Sequence, residues 1–192
     1  MVKVFFTVRR LQPGGFESFR EAWAPSAMPR GWRRGFVLRH PVDRDEVAAL
    51  AMCDDAEDSF REVLEAASDG EALVSGVYDF VHQQRGVEVR GAETMVPITA
   101  RRLRPGSFPD YFAAARAATP ELPLGLTSVM LLRSSEVPDE VITLGLVRAD
   151  DVSRFWSDAE PVRSRMLAAI EPYVEEVGLD TTYQVVDELA FV

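Results

Sequence analysis

The octapeptide Arg-Arg-Leu-Arg-Pro-Gly-Ser-Phe at residues 101–108 has an earlier copy, Arg-Arg-Leu-Gln-Pro-Gly-Gly-Phe, at residues 9–16. Six of the eight positions are identical, the offset is 92 residues, and Thr7 matches Thr99 just upstream. Each copy has the composition of a strand end, a Pro-Gly turn and a helix start. Recurrence of all three at a fixed distance indicates an internal duplication.

The correspondence continues through the rest of both halves. Residues 45–47 (Asp-Glu-Val) return as residues 139–141, now at an offset of 94 residues. Further matches are Arg39 with Arg133, Leu50 with Leu144, Asp55 with Asp150, Phe60 with Phe155 and Tyr78 with Tyr183. We therefore predict two homologous units, residues 1–84 and 95–192, joined by a polar connector at 85–94.

Both units show the same order of strands and helices. Runs of β-branched and aromatic residues predict strands at 2–9, 35–40, 47–53 and 76–83, and again at 95–102, 126–133, 140–148 and 182–188. Helices are predicted after the Pro-Gly turns and after the acidic pairs at 54–55 and 150–151, with Pro161 and Pro172 breaking the last helix. The order β-α-β-β-α-β is that of a ferredoxin-like unit.

The third strand of each unit, 47–53 and 141–147, is apolar at both alternating sets of positions. Both faces of such a strand must be covered, and the two helices of a unit cover only one face of its sheet. We therefore predict an α+β fold in which two ferredoxin-like βαββαβ units pack sheet to sheet as a pseudo-twofold α/β barrel. The alternative, two domains on a flexible linker, would leave one face of each sheet exposed.

Composition restricts the classes of partner. The chain of 192 residues has 31 acidic and 21 basic residues and a net charge of −10, which argues against nucleic-acid binding. A single cysteine, Cys53, excludes an internal disulfide and a cysteine-based zinc site. No apolar run approaches the ~20 residues of a membrane span, and the first ten residues read as a strand rather than a signal peptide. We expect a cytoplasmic protein without membrane partners.

Three stretches carry a resemblance to a known family: residues 101–108, the run Leu-Gly-Leu-Val-Arg-Ala-Asp-Asp at 144–151, and the helix Phe-Trp-Ser-Asp-Ala-Glu-Pro-Val at 155–162. With this plan, the chain resembles the dimeric α/β-barrel superfamily, and within it the antibiotic biosynthesis monooxygenase-like group. The resemblance implies a cavity between each sheet and its own helices, holding aromatic polyketide, quinol or haem-like ligands. It also implies oxidation without a metal or flavin cofactor, because an electron-rich phenolate can itself react with dioxygen.

The two histidines, His40 and His82, have no partner at metal-ligand spacing, so we expect no metal site. Strand alternation places His82 on one face with Tyr78 and Phe80, beneath Trp23 of the first helix. This arrangement predicts a catalytic site in the first unit, with His82 as base or hydrogen-bond donor and Tyr78 orienting the ligand. Alternatively, His82 is a half-exposed residue near a strand end. Its counterpart Asp187 lacks an evident counter-charge and is expected outside any closed pocket.

Further candidate residues recur in both units. Arg9 and Arg101 could bind an anionic or phenolate oxygen as fixed cations, or they pair with acidic neighbours. Trp23 could roof the ligand, although a tryptophan at helical spacing is also typical of a core. The small residues Ala51 and Gly145, at equivalent places on the third strands, could leave room for a ligand.

These observations favour a cofactor-independent monooxygenase, or a related enzyme, acting on an aromatic small molecule. A non-catalytic small-molecule or haem-binding protein of the same fold is the alternative, and a purely structural role is a third. Because duplication supplies the twofold contact within one chain, we expect a monomer.

Overall fold

A computed structural model describes residues 2–23, 31–54, 70–87, 91, 94–149 and 152–190. Within them lie eight strands: β1 (Val2–Arg10), β2 (Trp32–Arg39), β3 (Glu46–Asp54), β4 (Glu71–Arg85), β5 (Met95–Leu103), β6 (Leu126–Ser134), β7 (Glu140–Val147) and β8 (Val174–Ala190). The same residues include three α-helices, α1 (Phe16–Trp23), α2 (Phe108–Ala118) and α3 (Val152–Ile170), and a 3-10 turn at Glu171–Tyr173. The helix predicted after residues 54–55 lies outside the described residues.

The first compact unit comprises Met1–Phe80 and Thr182–Val192. Its antiparallel strands follow the order β4-β1-β3-β2-β8. Helix α1 buries the side chains at its positions i, i+3 and i+7, which are Phe16, Phe19 and Trp23. They form one apolar cluster with the sheet residues Phe5, Val37, Val47, Ala49, Ala51 and Cys53.

The second compact unit comprises Val81–Thr181. Its strands follow the order β8-β5-β7-β6-β4, and β7 pairs antiparallel with both β5 and β6. Helices α2 and α3 both contribute to the apolar clusters on one side of this sheet. That side is called the helix-facing side below.

The hydrogen-bonded order of the eight strands closes on itself as a barrel, β1-β3-β2-β8-β5-β7-β6-β4. Strands β4 and β8 each begin in one compact unit and end in the other. The orders β4-β1-β3-β2 and β8-β5-β7-β6 are those of two ferredoxin-like units. The predicted α+β fold, an α/β barrel made of two such units, is confirmed.

Two strands are much longer than the sequence predicts. The predicted ranges 76–83 and 182–188 become the 15 residues of β4 and the 17 residues of β8. The added segments, residues 71–75 and 174–181, are mostly exposed. Alternation of apolar and polar residues marks a strand only where one of its faces is buried, so these segments carry no such signal.

The prediction that Pro161 breaks the last helix is wrong. Helix α3 runs without interruption through Pro161 and ends at Ile170, just before the turn that contains Pro172. Pro161 removes one backbone N–H and leaves the Ser157 carbonyl without its helical partner, but both residues are exposed and water can solvate that carbonyl. Burial of Phe155 and Ala159 before it, and of Ile170 after it, holds both halves against the sheet.

Candidate functional site

The helix-facing side of the second unit carries two separate apolar clusters. One joins α2 and the end of α3 to the sheet, and its buried members are Leu103, Tyr111, Leu131, Val141 and Ile170. The other joins the start of α3 to the opposite strand ends, and its buried members are Met95, Val147, Phe155 and Ala159. The sheet between them belongs to neither cluster.

A row of partly exposed residues fills this gap: Pro97, Thr99, Val129 and Thr143, which we call the central row. Thr99 pairs directly with Thr143, and Val129 pairs with Gly145 on the same strand as Thr143. Alternation places the central row on the same face as the two apolar clusters. Residues in the middle of a sheet face that two helices cover are ordinarily buried, so their partial exposure indicates an opening beneath the helices.

The first unit has no such opening at the equivalent positions. Pro97 corresponds to Phe5, which is 1% exposed, and Thr143 corresponds to Ala49, which is fully buried. Both belong to the continuous apolar cluster of that unit, which also contains Trp23 and Trp32. The candidate site therefore lies in the second unit, where the sequence did not predict it. The replacement of Phe5 by Pro97 was the available signal.

Arg101 lies next to the central row. The side chain is 3% exposed, and its Nη1 donates a hydrogen bond to the Thr99 Oγ1 at 2.5 Å. In the part of the chain that the structure describes, no carboxylate lies within ion-pair distance of this guanidinium. A buried cation of this kind is costly unless something else neutralises it.

Its counterpart Arg9 is held differently. Arg9 is 8% exposed, and its Nη1 donates to the Gly70 carbonyl oxygen at 3.4 Å. Thr7, which corresponds to Thr99, donates to the Val74 carbonyl oxygen at 3.3 Å. The threonine-arginine contact is therefore a feature of the second unit.

Gly145 does not provide the room that the sequence suggested. A Cβ atom added there would lie 2.8 Å from the Pro97 Cγ and 3.0 Å from the Leu126 Cδ1. The glycine is required because these side chains already occupy the space above it. Ala51 is fully buried within the apolar cluster of the first unit.

The residues predicted for the first-unit site are not brought together as expected. His82 belongs to the second unit, where its half-buried imidazole is edge-on to Phe112 of α2 at a centroid distance of 5.3 Å. Tyr78 is buried and edge-on to Phe6 at 6.3 Å. Phe6 lies on the face of β1 opposite Phe5, which belongs to the cluster of Trp23.

The prediction that His82 lies beneath α1 is wrong. The 15-residue strand β4 passes from one unit into the other between Phe80 and Val81, so His82 lies beside α2 of the second unit and not beside α1. Phe80 is partly buried in the first unit. The ligand-orienting role of Tyr78 stays a prediction.

Trp23 is fully buried, and its ring packs against Phe19 at 6.2 Å and Trp32 at 6.5 Å. Among the described residues its indole N–H has no hydrogen-bond partner.

Asp187, the counterpart of His82, does have a counter-charge, because Arg20 of α1 donates to both of its carboxylate oxygens. The expectation of an unpaired Asp187 is therefore corrected.

The sequence did not predict a buried hydrogen bond between Tyr183 and Glu46, which lies beside His40. The Tyr183 hydroxyl donates to the Glu46 Oε1 at 2.7 Å, and burial, followed by this hydrogen bond, raises the pKa of Tyr183. The His40 ring lies edge-on to Tyr183, and its Nδ1 accepts the backbone N–H groups of Val42 and Asp43.

Ser134, the counterpart of His40, accepts two backbone N–H groups of its own loop in the same way. The equivalence indicates that His40 stabilises a loop.

Within the described ranges, no group of three histidine, cysteine or acidic side chains is close enough to hold a metal ion. No helix among these residues is long and apolar enough to cross a membrane.

No protein-family model matches this sequence, and no curated protein matches it. Solved structures do match its fold. A protein from Fusobacterium nucleatum named as a candidate monooxygenase superposes with a TM-score of 0.71 at 9% identity, over 98% of this chain and 94% of that one. An anthrone oxidase-like protein superposes with a TM-score of 0.66 at 15% identity, over 98% and 92%.

A third similar structure is a ferredoxin-fold protein from Listeria monocytogenes that is related to antibiotic biosynthesis monooxygenases. Its TM-score is 0.57 at 13% identity, with coverage of 97% of this chain and 95% of that one. At these identities the likeness establishes the fold. The chain therefore has the same α+β fold as these proteins, one of which is described as a ferredoxin-fold protein.

Proposed function

We propose that the protein oxidises a planar aromatic small molecule with dioxygen, in a site between α2, α3 and the central row of the second unit. The observation that carries the proposal is the partial exposure of Pro97, Thr99 and Thr143 between two apolar clusters. A mainly apolar recess with a few polar groups is typical of small-molecule sites. The fold shared with an anthrone oxidase-like protein supports this class of substrate.

The proposed reaction converts a CH₂ group between two aromatic rings into a carbonyl. Two C–H bonds and the O–O bond of dioxygen break. One oxygen atom becomes the carbonyl oxygen, and the other leaves as water with the two hydrogen atoms. The substrate supplies the four electrons, so no external reductant is required. The protein must bind the ring, remove the first proton and admit dioxygen.

His82 is the proposed acceptor of that first proton. Neither of its ring nitrogens has a hydrogen-bond partner among the described residues. The imidazole is therefore available to accept a proton from a ligand. In the order β5-β7-β6-β4, β4 lies three strand steps from β5, which is about 14 Å. A tricyclic aromatic molecule spans much of that distance.

The substitution Pro97→Phe tests the site, because it installs the residue that fills the equivalent place in the first unit. We expect oxygen uptake with anthrone to fall at least about tenfold, since the aromatic ring would close the opening. The oxygen electrode should record one dioxygen consumed per anthraquinone formed by the unchanged protein.

Val42→Phe is the control, because Val42 is 83% exposed on a loop of the first unit and the substitution introduces the same aromatic side chain there. It should retain full activity. An unchanged rate in Pro97→Phe would place the site elsewhere, and a wild-type rate no faster than anthrone alone would refute the proposed reaction for that substrate.

Haem binding is the second candidate function, and His82 is the observation that favours it. The second unit contains an imidazole whose ring nitrogens are available to ligate iron, on the strand beside α2. Haemin titration should then give a Soret shift that His82→Ala abolishes. An identical titration curve for His82→Ala would remove this candidate.

A further inference from the structure

The positive charge of Arg101 is not neutralised by the described protein groups around it. Thr99 offers the guanidinium a neutral hydroxyl oxygen, and the residue is 3% exposed. Burial of a lone cation costs free energy that an intact core would avoid with an apolar residue. An arginine at this position is therefore explained by an anionic partner that the described residues do not supply.

The acidic residues of the covering elements are already engaged or point to solvent. Arg163 forms ion pairs with two carboxylates, those of Glu160 and Asp180, and Asp158 pairs with Arg154. Asp110 of α2 is exposed. None of these carboxylates is within ion-pair distance of Arg101 in the described structure.

The guanidinium also lies beside the opening. Its Nη1 lies 2.5 Å from the Oγ1 of Thr99, a member of the central row, and Thr99 pairs with Thr143 on the next strand. Because Thr99 Oγ1 accepts from Arg101, its own O–H remains able to donate. The guanidinium, which has further N–H donors, and a hydroxyl that can donate its O–H thus lie side by side at the edge of the open row.

We propose that Arg101 and Thr99 form a subsite for an oxyanion on the aromatic ligand, either an ionised phenol or enol or a ring carboxylate. The inference rests on the proposed site in the second unit and names the charge of its ligand. Arginine suits a planar, delocalised oxyanion because its fork of N–H donors matches two oxygen lone pairs. Pairing with an enolate would favour the ionised form of the substrate, which is the form that donates electrons to dioxygen.

The first experiment compares ligands of equal shape and different charge by calorimetry. The unchanged protein should bind 2-naphthoate at least about tenfold more tightly than 2-naphthamide, since a charge-assisted hydrogen bond exceeds a neutral one by this margin. It should bind 2-naphthol more tightly as rising pH ionises the phenol. Comparing 2-naphthol with 2-naphthoate shows whether the subsite binds an ionised phenol or a carboxylate.

In Arg101→Met the affinities for 2-naphthoate and 2-naphthamide should become about equal, because the substitution removes the charge and keeps much of the apolar stem. Arg102→Met, the same change at the exposed neighbouring residue, should leave the preference intact. Equal affinities of the unchanged protein for naphthoate and naphthamide, or no binding of any of these ligands at millimolar concentration, would overturn the inference.

Thermal unfolding without ligand supplies a readout that does not depend on the choice of ligand. Arg101→Met should leave Tm unchanged or raise it by about 2–4 °C, because an uncompensated buried charge is removed. A fall in Tm of this size would show a structural role instead.

Selective naphthoate binding without anthrone oxidation would refute only the proposed reaction, whereas oxidation that is unaffected in Arg101→Met would refute only this subsite.

Discussion

At the scale of single residues, His40 illustrates how a histidine can be explained by backbone chemistry alone. Its Nδ1 accepts N–H groups from Val42 and Asp43, at 3.2 and 2.8 Å. We expect His40→Asn, which keeps an acceptor, to be more stable than His40→Leu by about 1 kcal/mol, the usual contribution of such a hydrogen bond. Urea unfolding of the two variants measures the difference directly.

The comparison is matched because both substitutions remove the imidazole and its edge contact with Tyr183. The two side chains are similar in size, and asparagine alone can accept the two N–H groups. If the leucine variant proves as stable as the asparagine variant, the loop does not depend on this acceptor, and another role for His40 must be sought. The serine at the equivalent position, Ser134, predicts the first outcome.

At the scale of elements, α3 tolerates a proline at a cost that can be measured. Pro161→Ala should stabilise the protein by about 2 kcal/mol, because alanine restores a helical N–H and removes a steric clash, partly offset by a more flexible unfolded chain. Pro172→Ala is the control, since Pro172 lies in the first residues of the 3-10 turn, where its missing N–H is not needed. Calorimetric scans of both variants test this, and equal gains would contradict it.

The elements also show which features the sequence could predict. The repeat of residues 9–16 at 101–108 predicts two ferredoxin-like units, because turn residues and apolar strands are set locally. The same repeat also indicated Arg101 as a candidate ligand-binding residue, because Arg101 recurs with Arg9. The position of His82 was not indicated, because the helix that lies beside a residue of β4 depends on where that strand passes from one unit into the other. The opening of the second unit depends on packing by α2 and α3, and the replacement of Phe5 by Pro97 was the sequence signal that could have indicated it.

At the scale of the whole molecule, the strand order bears on oligomeric state. Eight strands that close as a barrel leave no strand edge free for pairing with a second copy, among the residues described. The duplication that the sequence predicts would also supply within one chain the twofold relation that single-unit proteins obtain by association. Light scattering at micromolar concentration should therefore give a mass of about 21.4 kDa, that of one chain.

A dimer would have to use a surface other than a strand edge, and the exposed apolar residues of β8 offer a direct control. Val177 is 53% exposed and Val186 is 39% exposed, which makes them the exposed apolar side chains that a partner on this strand would bury. If the unchanged protein scatters as a dimer, the monomer prediction is wrong, and Val177→Glu then tests whether β8 forms the contact by restoring the mass of one chain. If it scatters as a monomer, Val177→Glu should change neither its mass nor its Tm, because a substitution at an exposed position ordinarily alters stability by less than about 0.5 kcal/mol.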